Sequence, residues 1–340
     1  MTAWEPDVLP GYWQQTIPLG QDPDGEGQLE ATLVRRGDGG RARHAVLALH
    51  GYTDYFFNTE LADHLARRGF TFYALDLHKC GRSHREGQTP HFTTNLANYD
   101  VELERALEII AADTDGPEPL ELCLYGHSAG GLIATLWLDR LTRRGAAARV
   151  GGLVLNSPFF DLQGPAILRT APTSAALIAL ARLRKLYVVR KPTPGGYGTS
   201  LHRDYAGEFD YDLALKPLGG FPVTFGWINA IRRGQARLHR GLDVGVPNLV
   251  LRSDHSVPEA PDPESIQRGD AVLDVNQIAR WAGCVGNHTT SAPITDAKHD
   301  VFLSLAAPRA AAYRELDGWL NRYLGIETPT RSTTTRSGQG

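Results

Sequence analysis

The sequence predicts an α/β fold: a mostly parallel central sheet flanked by helices, with a helical cap inserted late in the chain. Three observations predict it. Short apolar runs of strand length alternate with stretches whose apolar residues recur at helical spacing, as expected of a parallel sheet covered on both faces. That rhythm stops near residue 157 and resumes near 247. One strand-to-helix junction carries Gly126-His127-Ser128-Ala129-Gly130, whose G-x-S-x-G spacing suits a sharp turn that needs small residues on either side of the serine.

Taken in order, residues 12–18 and 28–34 read as two strands, the second alternating polar and apolar as a strand with one solvated face does. The Gly-, Asp- and Pro-rich stretch 20–27 between them reads as a turn. Residues 45–49 form a short, wholly apolar run, the signature of a strand buried on both faces. A helix over 60–68 places Leu61, Leu65 and Ala66 on one side, and a strand follows over 70–77. The long helix 96–112 offers Val101, Leu103, Leu107 and Ile110 as apolar positions. Strand 120–125 leads into Ser128, a helix follows over 131–138, and 150–155 is a further strand. Between 157 and 246 helical pieces, prolines and glycines replace the strand rhythm. Strand 247–252, helix 274–281 and an amphipathic helix 308–324 complete the chain, the last with Ala312, Tyr313, Leu316, Trp319 and Leu320 as core positions. Asp274 is expected to cap its helix, because an aspartate there satisfies free N–H groups.

These elements divide the chain into a core in two parts, 1–157 and 246–325, a cap or lid at 158–245, and a disordered tail at 326–340 rich in Thr, Ser, Arg and Gly. The 35 basic and 38 acidic residues leave a net charge of -3, which offers nothing to a nucleic acid. Three cysteines, Cys80, Cys123 and Cys284, are far apart and odd in number, so they suggest neither a disulfide framework nor a metal site. The N-terminus lacks a secretory pattern. The most apolar long stretch, 175–189, contains Arg182, Arg184 and Lys185 and is short for a bilayer span. The expectation is a soluble, cytoplasmic protein of undetermined oligomeric state.

A serine hydroxyl is a poor nucleophile unless a base and an orienting acid activate it. Of the histidines after Ser128, His299 lies in the short polar loop 296–302 ahead of the last helix, where a base can reach the strand ends. The acid belongs to the loop after strand 247–252. Asp270 is favoured, because it sits where that loop returns to the next helix, and Asp254 is the alternative. Oxyanion donors would be the backbone N–H of Ala129, following the nucleophile, and of Tyr52 in the loop after strand 45–49. His50 in the same loop is read as structural.

His50-Gly51, Asp76-Leu77-His78-Lys79-Cys80-Gly81-Arg82-Ser83, the serine pentapeptide, Asp270 and His299-Asp300 together resemble the serine hydrolases of the α/β-hydrolase fold. Within them the chain is most similar to the monoacylglycerol lipase and lysophospholipase group. The resemblance implies Ser128 as nucleophile, Asp270 as acid, His299 as base, Tyr52 and Ala129 at the oxyanion positions, and a cap after strand 150–155. Lys79 stands where the family usually has glycine, and segment 254–270 is longer than its pattern. The implied reaction is two-step acyl transfer to water, which needs no metal or organic cofactor. The expected substrate is a carboxylic ester with a small to medium apolar group, monoacylglycerol-like or other. Phe159, Phe160 and Trp227 are candidate substrate contacts, with residues 175–186 as a candidate acyl lining and the cap as a candidate site of peripheral membrane contact. A thioesterase or acyltransferase would use the same residues, and a non-catalytic binding protein on this scaffold is the reading from a different class.

Overall fold

Strand alternation builds two layers of core. In the strand His44–Leu49 (β4), Ala45, Leu47 and Leu49 face one layer while Val46 and Ala48 face the other, as the two-residue period of a strand requires. The structure, a computed structural model, describes residues 3–37, 39, 43–114, 120–162, 178, 180, 183–193, 195–257 and 262–326.

β4 lies within a nine-stranded sheet. Its other strands are Glu5–Pro6 (β1), Tyr12–Gln21 (β2), Gln28–Arg36 (β3), Phe70–Asp76 (β5), Glu121–His127 (β6), Val150–Asn156 (β7), Asn248–Ser253 (β10) and Thr289–Ile294 (β11). Two further strands, Val188–Arg190 (β8) and Val223–Thr224 (β9), pair antiparallel in a separate small sheet. The large sheet runs β1-β2-β3-β5-β4-β6-β7-β10-β11. Pairings from β1 to β5 along that order are antiparallel, and those from β5 through β4 to β11 are parallel.

Helices cover both faces. Thr59–Arg67 (α1) and Ala306–Leu324 (α7) bury Leu61, Leu65, Leu316, Trp319 and Leu320 on one face. Asp100–Asp113 (α2), Ala129–Arg143 (α3), Phe225–Leu238 (α4) and Val275–Ala282 (α6) bury Leu103, Leu132, Trp137, Ile231 and Ile278 on the other. Asp274 caps α6 by accepting the Asn276 N–H. A short helix, Pro263–Arg268 (α5), occupies the long segment after β10.

Three expectations need correction. Val101 is 52% exposed. In its place Glu102 points inward, where it accepts the backbone N–H and the Nδ1–H of buried His78. Tyr313 is only half buried. Residues 157–246 do contain strands, β8 and β9. At three and two residues they are too short to show alternation. Half of the apolar stretch 175–186 lies outside the described residues, and its Leu183 and Leu186 are exposed. Ile326 is buried, and the rest of the expected tail lies outside the described residues. Among the described residues no helix is long and apolar enough to cross a membrane.

Candidate active site

The parallel strands β4, β6, β7 and β10 all point their carboxyl ends the same way, the end at which open α/β sheets bind ligands. Ser128 sits between the last residue of β6 and the first of α3, with φ 51° and ψ -117°. A non-glycine residue there carries about 1–3 kcal/mol of strain unless its surroundings hold it. The surroundings do so. Ser128 donates its N–H to the Asn156 carbonyl at 3.0 Å, and its own carbonyl accepts from Gly131, Leu132 and Phe159. The two glycines of the pentapeptide permit the approach. A Cβ on Gly126 would lie 2.7 Å from the Gly131 Cα, and one on Gly130 would collide with the His50 carbonyl oxygen.

His299 and Asp270 meet although they are remote in sequence. His299 Nδ1 lies 2.9 Å from Asp270 Oδ2, and both side chains are almost wholly buried. The other carboxylate oxygen, Oδ1, accepts the N–H groups of Val272 and Leu273, each at 2.8 Å. The carboxylate is thereby fixed on both sides and the imidazole oriented. The His299 ring lies 4.9 Å from the ring of His127, the neighbour of Ser128. Asp254 is engaged elsewhere: it contacts the half-exposed His255 and accepts the Asp296 N–H.

The loop after β4 lies against the serine, since a Cβ on Gly51 would be 3.0 Å from the Ser128 Cβ. His50 Nε2 accepts the Leu77 N–H, so its Nδ1–H faces the Gly51 carbonyl at 2.7 Å. That structural part matches its reading. Tyr52 donates its hydroxyl to the Pro222 carbonyl, and its ring lies 3.9 Å from that of Trp227. Trp227 in turn faces Phe159 at 6.4 Å. Phe160 is different. Its side chain is wholly enclosed in the core and its carbonyl accepts from His239, so as placed it presents no surface to a ligand.

Several residues that pattern reading passed over complete the surroundings. Asn156, at the end of β7, is a hub. Its carbonyl accepts from Ser128 and from His127 Nδ1, its amide donates to Asp300 Oδ1 at 2.7 Å and to the Tyr125 hydroxyl, and its side-chain oxygen accepts the Val301 N–H. Burial holds the His127 imidazole below its ordinary pKa, which keeps it neutral. The Tyr197 hydroxyl accepts the Asp300 N–H, and its ring meets His299 edge-on at 5.6 Å. Asp54 is buried beneath the Tyr52 loop. Burial raises its pKa, but Lys216 at 2.6 Å, with His127 and His50, outweighs that and brings it down to about 2. Asn156, Tyr197 and Asp54 belong to no short motif, so no local signal marks them.

Lys79 shows how the departure from the family pattern is accommodated. Its φ is 61°, a conformation that favours glycine. Its ammonium reaches Asp22 at 2.6 Å and Glu26 at 2.7 Å on the turn between β2 and β3. Burial opposes ionisation of Asp22, yet hydrogen bonds from Lys79 and from the Asp24 and Glu26 N–H groups hold its pKa below the usual value.

Comparison with known proteins agrees with this architecture. The chain matches the structure of a soluble variant of monoglyceride lipase from Saccharomyces cerevisiae in complex with a substrate analogue, at TM-score 0.59 and 16% identity, over 91% of this chain and 96% of that one. The monoacylglycerol lipase of Paleococcus ferrophilus gives TM-score 0.59 and 16% identity, over 92% and 99%. A structure from work on the metagenome-derived lipolytic enzymes LipS and LipT gives TM-score 0.53 and 17% identity, over 93% and 100%. At these identities the likeness establishes the fold. No curated protein matches the sequence. The family model Hydrolase_4, described as serine aminopeptidase, S33, matches residues 40–262, so the chain belongs to that family of α/β-fold hydrolases.

Proposed function

We propose that the protein hydrolyses carboxylic esters through Ser128, His299 and Asp270. The observation that carries this reading is the buried His299–Asp270 pair, whose imidazole lies 4.9 Å from the ring of His127, the chain neighbour of Ser128 on its strained turn. Asp270 accepts the hydrogen bond from His299 Nδ1–H, which fixes the tautomer and leaves Nε2 as the base. Ser128 attacks the ester carbonyl as His299 accepts its proton, and the backbone N–H groups of Tyr52 and Ala129 stabilise the oxyanion. Loss of one such donor costs about 3 kcal/mol of transition-state stabilisation. The alcohol departs with the proton from His299, and water then cleaves the acyl-enzyme by the same route. Residues 158–245 act as a cap. Tyr52, Phe159 and Trp227 supply an apolar wall, which suits a monoacylglycerol-like or other small to medium apolar ester. A thioesterase or acyltransferase would use the same groups and differ in what enters the site.

Labelling with a fluorophosphonate, followed by turnover of chromogenic esters of increasing chain length, tests the proposal. Ser128→Ala should abolish labelling and lower kcat on the order of 10⁴-fold or more. Asp270→Asn should lower kcat strongly while Asp254→Asn leaves it nearly unchanged. Equal labelling of Ser128→Ala would refute the nucleophile. An aminoacyl anilide and a thioester belong in the panel, and preference for either would displace the ester reading.

A further inference from the structure

The loop that carries His299 is fastened from two sides. From the core, Asn156 at the end of β7 bonds Asp300 Oδ1 and the Val301 N–H. The second fastening comes from segment 197–201, between β8 and β9. The Tyr197 hydroxyl accepts the Asp300 N–H at 3.0 Å, and its ring meets the His299 imidazole edge-on at 5.6 Å. Lys298, on the other side of His299, is 2% exposed and donates from its ammonium to the Ser200 carbonyl at 2.6 Å. Leu201 and Leu303 share one small buried cluster with Tyr55, Phe57 and Tyr211. Both chain neighbours of His299 are thus bonded to a single short stretch outside the core.

That stretch is a tight turn. The Ser200 N–H bonds the Tyr197 carbonyl at 3.1 Å and the Leu201 N–H bonds the Gly198 carbonyl at 3.2 Å. The Tyr211 hydroxyl also reaches the Gly198 carbonyl, and a Cβ on Gly198 would collide with the Leu218 carbonyl oxygen. Such close packing transmits a displacement rather than absorbing it. Burial pulls the Lys298 pKa down to about 8. An ammonium kept out of water is costly to strand, so the Ser200 carbonyl that it meets is a strong constraint. Other fastenings of residues 158–245 end elsewhere. Lys216, Pro222 and Phe221 reach the loop after β4, and Glu208 reaches Arg309 on α7 at 3.1 Å. Position matters here, because a shift of about 1 Å in a catalytic group can cost about 10²-fold in rate.

We propose that Tyr197 and Lys298 are positioning residues, through which the seating of segment 197–201 sets the register of His299 against Asp270. The kinetic consequence rests on the ester reading, whereas the geometric one does not.

Two readouts test it. In the full chain carrying isotope-labelled histidine, the nitrogen NMR signals of His299, identified by their loss in His299→Gln, report which ring nitrogen bears the proton. Turnover of a chromogenic ester gives kcat and KM separately. Tyr197→Phe removes only the hydroxyl, and Lys298→Met removes the ammonium while keeping an apolar stem. In both variants the His299 signals should move from a ring protonated at Nδ1 toward a mixture of tautomers. In both, kcat should fall roughly tenfold or more with KM little changed. Glu208→Gln, which cuts the bond to Arg309, should alter neither readout. Should Lys298→Met fail to fold, Tyr197→Phe decides alone. Native His299 signals and native kcat in the folded Tyr197→Phe protein would overturn the proposal, even with a lowered Tm. An equal response to Glu208→Gln would overturn it too, by showing general loosening. If no ester is turned over, the ester reading fails while the nitrogen signals still decide the positioning.

Discussion

At the scale of single residues, Lys79 shows how one unusual side chain can be tied into the fold. Replacing it with glycine relieves a backbone strain of about 1 kcal/mol but strips two carboxylates of their cation, one of them wholly buried. Lys79→Gly should therefore lower stability by about 2–4 kcal/mol in urea unfolding, and adding Asp22→Asn and Glu26→Gln should recover most of the loss. The oddity of Lys79 was legible, because its place in the Asp76 to Ser83 stretch made it stand out. Its partners were not, since they lie on a turn 53 and 57 positions earlier and nothing local couples them to it. The same contrast separates Ser128, marked by its own neighbours, from Asp270. Position relative to a strand favoured Asp270, and only the contact with His299 Nδ1 distinguishes it from Asp254 in space.

At the scale of elements, what pattern reading recovers is the order of strands and helices, and what it misses is how their ends are joined. β4 and α3 were legible because apolar period and glycine spacing are local properties. The failure at Val101 is instructive: spacing assigned it to the core, but the His78–Glu102 bond turns the first turn of α2 the other way. Asn156 had no signal at all, being one polar residue after an apolar run. It nevertheless ties β7 to the serine turn and to the loop carrying His299. Asn156→Leu leaves the buried Asp300 carboxylate and the Val301 N–H short of a partner, at a cost of about 2–4 kcal/mol. On the proposed mechanism it should lower kcat with little change in KM, since the loop bearing His299 loses its register while the apolar wall stays in place. A change confined to thermal stability would show that Asn156 has no part in positioning.

At the scale of the whole molecule, the segment after β7 is fastened to the sheet by bonds that span more than 150 positions. These include Lys216 to Asp54, Tyr52 to Pro222, Phe221 to Thr53, and Lys185 to the Asp24 carbonyl. The Lys216–Asp54 pair has a definite pH signature. The folded pKa of Asp54 is depressed, to about 2 from its usual 3.8, so the pair's contribution is complete above 3.8 and is lost as pH falls through 2. Lys216→Met should cost about 3–5 kcal/mol at pH 7. That gap should narrow as acid protonates the stranded carboxylate, which urea midpoints measured from pH 7 downward will read. The same fastenings press Tyr52 onto Trp227 at 3.9 Å, directly over the loop that borders Ser128. An indole packed against a phenol beside Ser128 is a built-in optical reporter. Acylation of Ser128 that parts the two rings should change the emission intensity of the native protein, and Trp227→Phe should remove that change while the other five tryptophans stay silent.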